Sequence, residues 1–148
     1  MANEPIPTLV VLTLLEDNWD EGDVIKPQLI EVNAPNTNKL RLDLTKGDAV
    51  LIKLGAGRNE RWRGNWSWKD IVDYVEIEMF TKESRQRLYN INAEIRKIIE
   101  ANMHSLNDYH VIRYSSFNEN TDKELNFWRG TAKISLESNA IATERTCP

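Results

Sequence analysis

Between residues 71 and 80 apolar and polar positions alternate, with Ile71, Asp73, Val75, Ile77 and Met79 on one face and Val72, Tyr74, Glu76, Glu78 and Phe80 on the other. A period of two is the mark of a strand, and this is the clearest in the chain. From 84 to 104 the repeat lengthens. Leu88, Ile91, Ile95, Ile98 and Asn102 stand three or four apart, Ile99 and Met103 widen the stripe, and Thr81 or Ser84 supplies a cap. That spacing predicts an amphipathic helix laid on a sheet. Residues 110–114 and 127–136 read as two further strands joined by the polar, turn-rich stretch 118–126, with Trp128, Ala132, Ile134 and Leu136 toward the core.

Upstream, Thr8 can cap a first helix with Leu9, Leu12, Leu15 and Trp19 on one face, although 9–12 also fits a short buried strand. An acidic loop over 17–23 follows. The strand over 24–32 contains Pro27, which cannot donate to a ladder, so it belongs at a sheet edge. Leu40, Leu42 and Leu44 alternate with Arg41 and Asp43, and Lys46-Gly47-Asp48 turns the chain into an apolar strand over 49–54, as a hairpin or sharp corner. Residues 55–68 show neither period and are expected to form a long loop or mobile hairpin, a place where function concentrates. The element order is α-β-β-β-α-β-β, an α/β (α+β) fold in a single domain over 1–138, followed by a flexible tail over 139–148.

Composition narrows the class. With 41% hydrophobic and 28% charged residues, 148 residues suit one globular domain that buries roughly two thirds of its unfolded surface. The longest apolar run is far short of a membrane span, and no basic residue precedes it as a secretory signal would require. The single cysteine, Cys147, excludes an internal disulfide and suits folding in a reducing cytoplasm.

Charge changes the picture more. The net charge is −4, yet Lys53, Arg58, Arg61, Arg63 and Lys69 face only Glu60 within 53–69, which is therefore locally +4. Arg58, Arg61, Trp62, Arg63, Trp66, Trp68 and Lys69 admit three readings: tryptophans folded back onto the domain's own core, a protein interface rich in Trp and Arg, or a surface where phosphates meet cations and bases stack. A second oddity is the helix start, where Lys82, Arg85 and Arg87 crowd the positive end of the dipole against Glu83 alone. We expect Arg85 or Arg87 to pair with a carboxylate of the sheet, another subunit or a phosphate.

Catalytic patterns are not found. Gly55-Ala56-Gly57 lacks the third glycine, the Lys-Ser/Thr pair and the helix of a phosphate loop. His104 and His110 lie six apart across a helix end, and a solvated strand face accounts for Glu76 and Glu78. No catalytic residue, metal ligand or cofactor site is predicted, and the chain is expected not to be an enzyme.

Several segments together resemble a family. The strand Val75-Glu76-Ile77-Glu78-Met79-Phe80-Thr81, the helix start Ser84-Arg85-Gln86-Arg87-Leu88, its continuation Glu94-Ile95-Arg96-Lys97-Ile98-Ile99 and the late strand beginning Phe127-Trp128-Arg129-Gly130 are similar to tail terminator or tail-completion proteins of tailed viruses. Lys26-Pro27, Arg41-Leu42-Asp43-Leu44 and Gly47-Asp48-Ala49-Val50-Leu51-Ile52 resemble small virion proteins of archaeal tailed viruses or proviruses. The likeness covers roughly residues 24–138. It implies a mixed sheet of about five strands with two helices packed on one side. It also implies a subunit that closes into a ring, of six copies, at the head-proximal end of the tail tube. Such a ring stops tube growth, joins the head connector and lets genomic DNA pass. The partners are then further copies of the chain, the tail tube protein and the connector or neck proteins, in the virion and, during assembly, in the host cytoplasm; a membrane has no part. On this reading Arg58, Arg61, Trp62, Arg63, Trp66, Trp68, Arg85 and Arg87 are the interface candidates. A head-closure or adaptor protein of the neck would have the same size and composition, and a nucleic-acid-binding module using 58–69 is the alternative of a different class.

Overall fold

The alternation at 71–80 marks the middle of a longer strand on which the whole sheet is built. A computed structural model describes residues 4–32, 48–63, 68–120 and 127–141; of Arg63, Trp68, Ala140 and Ile141 it describes the backbone alone. The elements are α1 (Pro7–Asn18), β1 (Gln28–Glu31), β2 (Ala49–Leu54), β3 (Asn59–Arg63), β4 (Trp68–Thr81), α2 (Arg85–Ala101), β5 (Val111–Glu119) and β6 (Trp128–Ile141). The described strands form one six-stranded mixed sheet in the order β1-β2-β4-β6-β5, and β3 also pairs with β4. The fold is α+β, as the periodicities predict.

β4 pairs with β6 along all of its 14 residues, Trp68 opposite Ile141 and Thr81 opposite Trp128. Its other edge is shared end to end. β2 takes residues 75–80 and β3 takes 68–72, both antiparallel. β1 lies parallel to β2 at the sheet edge, directly after the buried Pro27, where a missing N–H costs no ladder bond. The chain then leaves β4, crosses through α2 and returns as β5, with β6 inserted between them.

Both helices cover one face. Val50, Ile52, Val75, Ile77, Met79, Ala132, Ile134, Leu136 and Ile112 point toward Leu88, Ile91, Ile95, Ile98 and Ile99 of α2 and Val11, Leu14 and Leu15 of α1, in one apolar core. The α2 stripe is the predicted one, with Glu94 added to it: this carboxylate is buried, accepts the Asp20 N–H at 3.2 Å and pairs with Lys97 at 3.0 Å, pinning the turn after α1. α1 keeps part of its predicted aspect: Leu15 and Trp19 are buried and Leu12 packs partly against the core, but Leu9 is 40% exposed, and Thr8, Val11 and Leu14 face inward in its place. Thr8 is no cap; its hydroxyl lies inside the first turn and donates to Glu31 at 2.8 Å, tying α1 to β1.

Of the loop and hairpin readings of 55–68 the hairpin holds: β3 pairs antiparallel with the start of β4 and extends the sheet. Two other expectations are corrected. β5 runs on past Tyr114 through a bulge at Ser115, which shifts the alternation so that Phe117, opposite Ala132, shares the helix face with Tyr114. Its ring packs over Gly130, where a Cβ would come within 2.6 Å of Phe117, and meets Tyr89 of α2 edge to face at 5.4 Å. β6 carries through Asn139–Ile141, three residues given to the tail by sequence; 142–148, like the predicted strand over 40–44 and most of the turn-rich stretch before β6, lie outside the described residues.

Candidate interface

Cations at a helix N-terminus oppose the dipole unless something anionic meets them. Ser84 caps α2, its hydroxyl accepting the Arg87 N–H at 3.1 Å. The Arg87 guanidinium reaches Asp48, just before β2, at 2.6 Å and donates to the Ile25 carbonyl at 2.6 Å. Both charged side chains of this pair are nearly buried, at 11% and 12% exposure. Arg85 instead straddles the Glu119 carboxylate at the end of β5 with bonds of 3.0 to 3.1 Å, and the Tyr89 hydroxyl donates to the same carboxylate at 2.8 Å. Glu119 raises the Arg85 pKa. The expected pairing is thus made twice, both times with carboxylates of the chain's own sheet.

The second basic stretch is dispersed rather than clustered. Arg58 lies in the link between β2 and β3, where its Nε donates to Asp73 at 2.7 Å, Nη2 to the other Asp73 oxygen at 3.2 Å, and Nη1 to Glu4. Asp73 is buried and also accepts the Tyr109 hydroxyl at 3.0 Å. These bonds raise the Arg58 pKa, while burial and the Asp73 charge raise that of Tyr109. Beyond it, Arg61 stands opposite Asp70 and Trp62 opposite Lys69. The Lys69 ammonium sits 5.4 Å from the Trp62 ring and 2.8 Å from Glu60. Arg61 is exposed and lines an open cleft of about 470 Å3 with Asp70, His110, Glu137 and Asn139. Arg63 and Trp68 form the last described backbone pair of this hairpin, and Trp66 lies outside the described residues. Much of the local positive charge is therefore matched inside the chain.

The sequence reading gave no role to Asp73, Tyr109, Asp48 or Glu119, the partners that fix these arginines. Asp73 carried a usable signal: an aspartate in register with Ile71, Val75 and Ile77 on an apolar face has to find a cation or a donor when the face is buried. Glu78 carried one too. It is not merely solvated but buried, held by Lys53 at 2.6 Å and Arg129 at 3.2 Å, with Arg129 also over the Phe80 ring. Burial opposes its ionisation, yet the two cations outweigh that and hold its carboxyl below the ordinary value. Among the described residues no three His, Cys, Asp or Glu converge as metal ligands, and no helix is long and apolar enough to cross a membrane.

No family model and no curated protein matches the sequence. Among solved structures the fold is similar to a chain described as "Virion of native gene transfer agent (GTA) particle", with a TM-score of 0.61 over 90% of this chain and 94% of that one, at 8% identity. At that identity the likeness is one of fold, and it spans nearly the full length of both chains.

Proposed function

We propose that this chain is a structural virion protein of a tailed virus or a related particle, and that it acts by assembly rather than by catalysis. More finely, it is a tail terminator or tail-completion subunit. Copies close into a ring, of six, at the head-proximal end of the tail tube, end tube growth and present a surface to the head connector through which genomic DNA passes. The observation that carries this reading is the fold match to a chain of a gene transfer agent particle, almost complete in both directions. The resemblance of the β4, α2 and β6 segments to tail terminators points the same way. A ring of this kind uses heterologous contacts, one surface of each copy meeting a different surface of the next.

The internal ion pairs weigh against the nucleic-acid module. A groove that tracks phosphates needs cations available to them, and Arg58 and Lys69 are already engaged by Asp73, Glu4 and Glu60. The test is to raise antibodies against the purified chain and image gold-labelled particles. Label at the junction of head and tail is expected; particles without label, from a preparation in which the chain stays in the soluble fraction, would overturn the reading.

A further inference from the structure

A helix that is apolar around most of its circumference needs cover on more than one side. α1, Pro-Thr-Leu-Val-Val-Leu-Thr-Leu-Leu-Glu-Asp-Asn, buries Val11, Leu14 and Leu15 against the sheet and α2 but turns Leu9 outward, next to Ile6, which is 52% exposed. This outer flank and the loop after α2 enclose an open groove. Its apolar lining includes Ile6, Leu9 and Leu106, and its charged lining residues are both acidic, Asp17 and Asp108.

The most exposed large apolar residue described lies elsewhere. Ile25, 75% exposed, is followed directly by Lys26. Its carbonyl is held by Arg87 in the first turn of α2, whereas Leu106 and Asp108 follow the last turn. Ile25 is not among the residues that line the groove and stays 75% exposed, so it does not fill the groove of its own chain.

We infer that the two are halves of one seam: Ile25 of one copy enters the α1 groove of the next, with Lys26 against Asp17 and Asp108. Apolar area matches apolar area, and Lys26 beside the knob matches the acids beside the hole. Because knob and groove are different surfaces, the contact is head to tail and leaves one of each free on every pair. That is what a ring requires. The inference deepens the ring reading above and rests on it.

Sedimentation velocity on the full chain, from micromolar to about 1 mM, tests the seam. Ile25→Asp and Leu9→Asp change exposed side chains, so both variants keep the wild-type circular dichroism and melting profile. Each is expected to weaken self-association at least tenfold. An equimolar mixture of the two stops at pairs, since only the knob of Leu9→Asp and the groove of Ile25→Asp remain usable. Lys26→Glu weakens association, and adding Asp108→Lys restores it. Wild-type chain that stays monomeric at 1 mM, an Ile25→Asp chain that assembles as wild type does, or a mixture that regains full assembly would each overturn the seam. Particle imaging separates the two ideas: labelled necks with an unaffected Ile25→Asp chain sink the seam alone, and unlabelled particles with the predicted seam sink only the virion reading.

Discussion

The two faces of β4 are built from the same fourteen residues on opposite principles. On the helix side Val75, Ile77 and Met79 are fully buried among aliphatic neighbours, and the Asp73 carboxylate is closed off by Arg58 and Tyr109. On the other side Glu76 and Glu78 meet Lys53 and Arg129 across strands β2 and β6, and no described helix covers them. The first face gains its stability from area removed from water, at about 25 cal/mol per Å2. The second gains from directed pairs across the strands, Glu78 buried between Lys53 and Arg129 and Glu76 more open to water. One face thus holds by apolar area and the other by cross-strand charge.

Mutations should separate the two faces by size of effect. Ile77→Ala, which empties space in the middle of the core, is expected to cost about 3 to 4 kcal/mol in urea unfolding, and a cost below 1 would mean that the helix layer repacks freely. Arg87→Ala strands the nearly buried Asp48 carboxylate and releases the Ile25 carbonyl; a loss of about 2 to 3 kcal/mol is expected by the same measurement. Glu78→Gln on the open face is expected to cost about 1 kcal/mol at neutral pH.

The Glu78 effect has a sign in pH. Its folded pKa lies below the ordinary carboxyl value of 4.5, so its stabilisation is complete above that value and fades as pH falls through the folded one. Wild type and Glu78→Gln should thus converge in stability at acid pH, which paired thermal melts would record; a constant gap would show that the pair's charge contributes nothing. At the alkaline end the raised Tyr109 pKa works oppositely. The folded phenol stays neutral where the unfolded one ionises, so stability falls as pH rises past 10, and Tyr109→Phe should flatten that limb. The smallest effect belongs to Arg85, mostly exposed on Glu119: Arg85→Ala should leave the melting temperature unchanged, while Arg85→Glu, facing Glu119 with a like charge, should lower it. A reversal that changed neither stability nor assembly would remove any role for that pair.

The legibility of these features in the sequence follows from how locally each is determined. α2 and β4 are readable because ten or more residues in each repeat one period, and the side of α2 with the apolar stripe is the buried side. In α1 the spacing places Leu15 and Trp19 inward correctly but not Leu9, because six of the seven positions from 9 to 15 are apolar and no stripe sets the core side apart. β3 reads as loop or hairpin because Asn-Glu-Arg-Trp-Arg has no apolar alternation to show; it is a strand because β4 extends far enough to offer it an edge. The arginines were singled out correctly as charges needing partners, but which carboxylates answer them depends on contacts between residues 15 to 54 apart. Pairing of that kind is tertiary, and no local spacing encodes it.

The position of the chain in an assembled particle decides between a ring at the neck and any other role. A three-dimensional reconstruction of the particle by electron cryomicroscopy is predicted to place it as a closed ring of six between head and tail tube, with Ile25 of each copy against Leu9 and Leu106 of the next. A neck built from other proteins, with no density that fits this six-stranded sheet and its two helices, would contradict it.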